Sequence, residues 1–320
     1  MNIKSVFVIS PHHYDHSLAS IVEGLNKLSI KVYSNTNHNY IPQTLTTTSA
    51  QYKVAKMADV VLMCHSALES KYKEANEPIV SELANGGVDV FLDGNDYCQY
   101  VADPNNFKLY IKRELQTAEQ NRPDHVESLI FAAEDRYFVN SNKTHRDLWE
   151  GKTDDLACIM SSCKKRPWRF DIINSLKDAF SRDPSVFVGE YREGDTLKKF
   201  DTGDRHYSGY FQKLLNTKIS VDSYGCGEAR QTGRFWESLA NGCMVMYQPI
   251  EPYLWRNKFI DNQDFIVYNG LDELVDKANY YINNSDKARV IAESGFNKMM
   301  THHRTENRAK EFINLCGKYL

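Results

Sequence analysis

No stretch of these 320 residues approaches the roughly 18 consecutive apolar positions that a membrane-spanning helix requires. The opening run, Met1 to Ser10, supplies six apolar residues, too few for the apolar segment of a secretory leader. An excess of one charge is missing too. The 39 Lys and Arg stand against 42 Asp and Glu, a formal net charge of −3, so no global field draws the chain to nucleic acid or anionic lipid. Seven cysteines (Cys64, Cys98, Cys158, Cys163, Cys226, Cys243 and Cys316) form no Cys-x-x-Cys pair, and most fall in or beside apolar runs. They read as buried, reduced thiols, which excludes a disulfide framework and a zinc ribbon. Internal repeats and low-complexity tracts are absent. The expectation is a soluble, cytoplasmic protein.

Two signatures are also lacking. The first strand-like run ends in Ser10-Pro-His-His-Tyr-Asp-His-Ser, where a dinucleotide-binding unit would carry Gly-x-Gly-x-x-Gly, and this argues against a nicotinamide or flavin enzyme. No Asp-x-Asp occurs, so a metal-chelating carboxylate pair of that kind is not available.

What is present alternates. Strand-length apolar runs at Val6–Ile9, Lys31–Tyr33, Val60–Met63 and Val88–Leu92 are separated by helical patterns such as Leu18, Ile21, Val22, Leu25 and Leu28. Short apolar clusters follow at Leu109–Ile111 and Leu129–Ala132, then a polar stretch from Asn140 to Asp155. The alternation restarts at Leu156–Met160, with helices expected over Trp168–Phe180, Tyr210–Leu215, Leu274–Ile282, Arg289–Met300 and Glu306–Leu320. This is an α/β chain with parallel sheets. Its length favours two domains, placed at residues 1–151 and 152–304, with residues 305–320 as a final helix.

The segment from Lys218 to Pro249 is the most informative. An apolar run, Ile219 to Tyr224, ends in a loop holding Gly225, Gly227 and Gly233, where backbone N–H groups can approach an anion. A helix opens near Thr232 with Arg234 in its first turn and Glu237 at i+3, side chains about 5–6 Å apart on one face. A sugar nucleotide suits that pair: diphosphate against Arg234 and the positive helix end, ribose hydroxyls donating to Glu237. Asn241-Gly242 reads as a glycine stop, and Cys243–Tyr247 as a buried strand.

The string Gly-Arg-Phe-Trp-Glu-Ser-Leu-Ala-Asn-Gly-Cys-Met-Val, preceded by Tyr-Phe-Gln-Lys-Leu-Leu-Asn-Thr-Lys-Ile, resembles the donor-binding segment of exostosin-type and spore-maturation-type glycosyltransferases of the GT-B fold. The resemblance continues through Asp264-Phe-Ile-Val-Tyr, Leu271-Asp-Glu-Leu and the closing His302-His303…Arg308-Ala. It implies two Rossmann-like domains facing across a cleft, the first for the acceptor and the second for the donor. It also implies nucleotide-holding roles for Arg234 and Glu237, a nucleotide diphospho-sugar (a UDP-sugar) as co-substrate, and a last helix that crosses back onto the first domain. Retaining enzymes of this fold commonly carry two glutamates eight residues apart; here Glu228 and Glu237 are nine apart, a departure that leaves retaining chemistry unsupported.

Other candidates follow from position. Loops at the carboxyl ends of parallel strands line the ligand crevice, which brings forward Asp15 and His16 after the first strand, and Asp93 and Asp96 after the fourth. Asp15 is the first choice for the base that deprotonates the acceptor, with His16 beside it and Asp93 second. Asp15 also fits a helix N-cap, and Asp93 and Asp96 fit a self-capped turn. His12, His13 and His16 lack the tight set of carboxylate or cysteine partners that a metal site needs, so no metal is implied. Lys112-Arg113-Glu114 resembles a segment of spore-maturation-type relatives and reads as an interdomain ion-pair cluster. Ser161, Ser162 and Arg166, in the loop after the first strand of the second domain, are candidates for the donor phosphates or else a solvated basic turn. Together with Trp168 and Arg169 that loop is the one stretch resembling a nucleic-acid contact. Tyr207 and Tyr210 stand before the motif, for stacking on the nucleotide or for core packing.

The function expected is metal-independent, inverting sugar transfer to a hydroxyl on a glycan, protein, metabolite or hydroxymethylated DNA base. Two rivals stay open: a sugar-nucleotide epimerase or hydrolase, and a non-catalytic binding protein on the same scaffold.

Overall fold

The computed structural model describes residues 2–10, 14–36, 43–83, 86–116, 122–140, 142–161, 166–191, 208–225, 232–250 and 256–320. The chain divides into two compact units, one of Met1–Glu134, Pro252–Arg256 and His303–Leu320, the other of Asp135–Glu251 and Asn257–His302.

In the first unit the described strands are β1 (Ser5–Ile9), β2 (Lys31–Ser34), β3 (Gln43–Thr44), β4 (Val60–Cys64), β5 (Val90–Asp93), β6 (Leu109–Lys112) and β7 (Val126–Ser128), all parallel in the order β3-β2-β1-β4-β5-β6-β7. Every residue of β4 is buried, as expected of a parallel strand covered on both faces, which is why Val60-Val-Leu-Met-Cys reads as an unbroken apolar run. Helices α1 (His16–Lys27), α2 (Thr48–Met57) and α3 (Ser70–Leu83) connect the strands, and α10 (Thr305–Tyr319) closes the chain. Helix α10 lies on α1 through Gly24: a Cβ there would fall 2.0 Å from the Thr305 carbonyl oxygen and 2.8 Å from the Ala309 Cβ. Ala309, Phe312 and Leu315 of α10 share the apolar core of β1 and α1. Strand β3 and helix α2 lay outside the sequence expectation, because α2 turns only Gln51 and Ala55 fully inward and carries no apolar stripe. The cluster Leu129–Ala132 is buried but forms no strand; β7 ends just before it.

The second unit holds β8 (Asp154–Ser161), β9 (Val186–Tyr191), β10 (Thr217–Val221), β11 (Met244–Tyr247) and β12 (Ile266–Val267), parallel in the order β12-β11-β10-β8-β9. Its described helices are α4 (His145–Glu150), α5 (Pro167–Ala179), α6 (Ser208–Asn216), α7 (Gly233–Ala240), α8 (Leu271–Asn283) and α9 (Ser285–His302). Within the polar stretch expected as a separator, Thr144 and Asp147 form a reciprocal capping box that starts α4. The Asn241-Gly242 stop of α7 is formed with Gly242 at φ +71°. Lys152 supports it, donating from Nζ to the carbonyls of Asn241 (2.8 Å), Leu215 (3.1 Å) and Leu214 (3.4 Å), so one buried ammonium serves the carboxyl ends of α6 and α7.

Each sheet reverses its direction of winding once, between β1 and β4 in the first unit and between β8 and β10 in the second. Such a reversal opens a crevice at the carboxyl ends of the strands, where α/β sheets bind ligands.

Candidate functional site

At the second reversal, β10 runs into Asp222, which is 1% exposed. Its backbone carbonyl accepts from the Tyr268 hydroxyl at 2.7 Å. Its carboxylate takes the Thr232 hydroxyl at 2.7 Å on one oxygen and Arg234 Nε at 2.9 Å on the other. Thr232 is the N-cap of α7, and its side chain makes no capping bond, while its carbonyl accepts the Phe235 N–H at 3.2 Å. Burial alone would weaken the Arg234 charge, but Asp222 outweighs it and raises the guanidinium above its ordinary value. A second guanidinium lies close by. Arg169, 1% exposed in the first turn of α5, donates from Nε to Ser223 Oγ at 3.1 Å. Burial first, and the neighbouring Arg234 next, bring it down to about 10. Two guanidiniums therefore lie near the Asp222 carboxylate at the strand ends, Arg234 bonded to it and Arg169 within reach of its charge.

Glu237, one turn along α7, accepts the Tyr210 hydroxyl from α6 at 2.8 Å. Tyr210 thus has a polar role that neither stacking nor core packing anticipates. Gly225 stands four residues beyond the last residue of β10, Gly233 opens α7, Ser161 is the last residue of β8, and Arg166 is the N-cap residue of α5. Gly227, Ser162, Glu228 and Tyr207 lie outside the described residues, as do His12 and His13.

At the reversal in the first unit a cavity of about 300 Å³ is lined by Tyr14, Asp15, His16, His65, Asp96 and Phe131, among others. Asp15 caps α1 by accepting the Leu18 N–H at 3.0 Å, and its second oxygen accepts Ser66 Oγ at 2.7 Å and the Cys64 thiol at 3.3 Å. Burial would push this carboxyl up, but His65, the Leu18 N–H and Ser66 outweigh it and hold it below the usual value. A carboxylate so stabilised is a weak proton acceptor. Asp15, Cys64 and His65 bring ligand-type atoms within 4.8 Å of one another. His65 Nδ1, however, accepts the Gly94 N–H at 3.1 Å, and burial pushes the Cys64 thiol well up, so a cation there would have to displace an intact hydrogen-bonded network.

Asp93 is fully buried. Its carboxylate takes the Tyr110 hydroxyl at 2.6 Å, Lys112 Nζ at 3.1 Å and the N–H groups of Asn95 and Val101, both at 3.1 Å. That leaves no face toward a ligand, and its reading as a base gives way to a structural one. The ion pairs of Lys112-Arg113-Glu114 also differ from the interdomain cluster expected: Lys112 pairs with Asp93, and Arg113 with Glu114 and Asp96, all inside the first unit. Asp96 is held by that pairing at the cavity wall.

His16 differs from its neighbours. It is the first residue of α1, its side chain is 42% exposed, and its Nδ1 stands 3.6 Å from Glu134 Oε1, with Glu134 only 2% exposed. The sequence showed no partner for His16 because 118 residues separate it from Glu134. Asp222, Arg169, His65 and Glu134 all escaped the sequence reading as site residues of this kind; the available signal for Asp222 and His65 was their place at the carboxyl end of an apolar run.

Residues 169–314 match the family model described as "Glycosyl transferase-like". No curated protein matches the chain. Among solved structures, it is similar to HepE of Anabaena in complex with UDP-glucose (11% identity, 98% of this chain and 99% of that one, TM-score 0.62). It is also similar to an alpha-glucosyltransferase in complex with UDP-glucose and DNA containing an abasic site (8%, 97% and 98%, 0.66). A third is the sucrose-phosphate synthase of Thermosynechococcus elongatus (10%, 98% and 98%, 0.60). These likenesses establish the GT-B fold over the whole chain, with its two parallel sheets, and the family match falls on the segment where the sequence resemblance was strongest. The glycosyltransferase class read from the sequence agrees with both.

Proposed function

We propose that this protein transfers a sugar from a UDP-sugar to a hydroxyl acceptor, with the donor held by the second unit and the acceptor by the first. The supporting observation is the pair of guanidiniums at the strand ends beside the amino end of α7, Arg234 bonded to Asp222 and Arg169 to Ser223. In this reading the diphosphate meets these two positive charges. Arg234, Arg166, the N–H groups of Gly233 and Gly225, and the 161–166 loop with Ser161 and Ser162 receive its oxygens, while Glu237, oriented by Tyr210, accepts from the ribose. Gly227 belongs to the same glycine loop as Gly225. As the sugar leaves, charge grows on the diphosphate, and these fixed donors offset it without a divalent ion. Uridine as the base is favoured by the similarity to HepE and the alpha-glucosyltransferase, both in complex with UDP-glucose.

In the first unit Asp96 and the cavity wall orient the acceptor, and His16, more exposed than Asp15, takes its proton, with Asp15 anchoring the loop. An attack from the face opposite the diphosphate inverts the sugar. The test is a thermal-shift series with UDP-sugars, since a ligand that binds the folded state raises the melting point by mass action. A rise with UDP-glucose or a related donor is expected, and Glu237→Ala should weaken donor binding on the order of 10–100-fold through loss of charged hydrogen bonds. No shift with any nucleotide sugar would count against the reading. Consumption of donor without any added acceptor would favour the hydrolase alternative.

A further inference from the structure

We propose that the acceptor is an uncharged sugar ring, stacked on Tyr97 and hydrogen-bonded to Asp96, and that the acids lining the first-unit cavity turn away acceptors that carry phosphate. This deepens the sugar-transfer reading above and rests on it for the claim that the cavity takes an acceptor. The cavity is built from the carboxyl ends of β1, β4, β5 and β6, all within the first unit. Among its described lining residues three carry carboxylates, Asp15, Glu69 and Asp96, against one guanidinium, Arg113. Arg113 is already engaged: it pairs with Asp96 and Glu114, and it lies over the Phe131 ring at 4.6 Å. Lys112 beside it is fully buried against Asp93. His65 accepts the Gly94 N–H on Nδ1 at 3.1 Å, which leaves that ring uncharged. Even a charged His16 would leave the lining negative. A phosphate entering this recess meets like charge, and a partly desolvated site screens that repulsion less than water does.

The cavity offers a braced turn instead. The Asn95 N–H donates to Asp93 Oδ1 at 3.1 Å and the Tyr97 N–H to Asn95 Oδ1 at 3.0 Å, so side chains of the turn hold its own backbone. Gly94 seats the turn closely on α1, since a Cβ there would fall 2.6 Å from Ser17 Oγ. Two neighbouring side chains then reach the cavity. Arg113 holds one oxygen of Asp96 while 41% of that side chain stays exposed, and Tyr97 is 49% exposed. An aromatic ring next to a fixed carboxylate matches a pyranose: the C–H face, with its partial positive charge, packs on the ring, and the hydroxyls donate to the acid. The volume of about 300 Å³ is at the small end of ligand pockets, which suits a single sugar unit.

Two measurements on the full chain test this. Saturation-transfer NMR should show at least one of methyl glucoside, galactoside and mannoside bound, and its 6-phosphate bound more weakly. UDP release from UDP-glucose is then followed with the same compounds as acceptors. Tyr97→Ala should raise the acceptor KM on the order of 10-fold with kcat and UDP-glucose affinity little changed, a split that a merely structural role would not give, and Tyr97→Phe should restore it. Asp96→Asn should narrow the preference for the glycoside over its 6-phosphate on the order of 10-fold. Preference for the 6-phosphates or for a hydroxymethylated oligonucleotide, no binding of any neutral glycoside, or an acceptor KM unmoved by Tyr97→Ala would overturn the proposal. Glycoside binding in a protein that fails to bind UDP-glucose would strike the donor reading alone.

Discussion

His145 shows how a single buried side chain sets the chain's response to acid. Its Nε2 lies 3.3 Å from the Gly242 carbonyl oxygen, and its Nδ1 has no partner. Burial first, against a smaller opposing pull from Glu293, brings this imidazole down to about 4. A proton on Nδ1 would have no acceptor, so the folded state refuses it. The unfolded chain takes it up near 6.5, so between roughly pH 6.5 and 4 the unfolded state binds more protons and stability falls as pH is lowered. The loss from this one group is on the order of 1–3 kcal/mol, complete near pH 4. His145→Gln should flatten the dependence of the melting temperature on pH across that window, as measured by circular dichroism; an unchanged slope would assign the sensitivity to other groups. Asp15 and His16, adjacent in the chain, differ in their contacts. Three hydrogen-bond donors stabilise the charge on Asp15, whereas His16 keeps an exposed ring, and no pattern in the sequence distinguishes the two.

Helices and strands show which parts of the architecture local sequence can carry. Helix α1 depends on contact with α10 at Gly24, where a methyl group would press on the Thr305 carbonyl. Gly24→Ala should therefore destabilise the first unit by about 1–3 kcal/mol, against the gain a more helix-prone residue gives on an open surface. Urea unfolding would measure it, and a neutral or stabilising result would mean that α10 moves aside without cost. Strands β1, β4 and β10 were legible because both faces are covered and the apolar run is unbroken or nearly so. Helix α7 was legible from its glycine stop and the i, i+3 pair. Helix α2 and strands β3 and β12 were not, because a two-residue strand or a helix with little apolar surface leaves no period to read. At the donor side the sequence indicated Arg234 and Glu237 but not the groups that aim them. Asp222 and Tyr210 meet them from β10's end and from α6, through pairings made by the fold.

At the scale of the whole chain, two parallel sheets each reverse once, and each reversal gathers polar side chains at the carboxyl ends of its strands. The chemistry gathered differs. The second unit brings two guanidiniums and two acids together at its strand ends, whereas the first collects carboxylates, imidazoles and aromatic edges around a cavity. Among the described residues, no helix is long and apolar enough to cross a membrane. The near-balanced charge of −3 supplies no global field. The central claim is that Arg169, Arg234 and Glu237 hold the activated sugar. Its most direct test is a crystal structure of the protein soaked with UDP: the account expects the diphosphate against Arg234 and the amino end of α7, with the ribose hydroxyls on Glu237, and nucleotide density anywhere that leaves those two side chains untouched would contradict it.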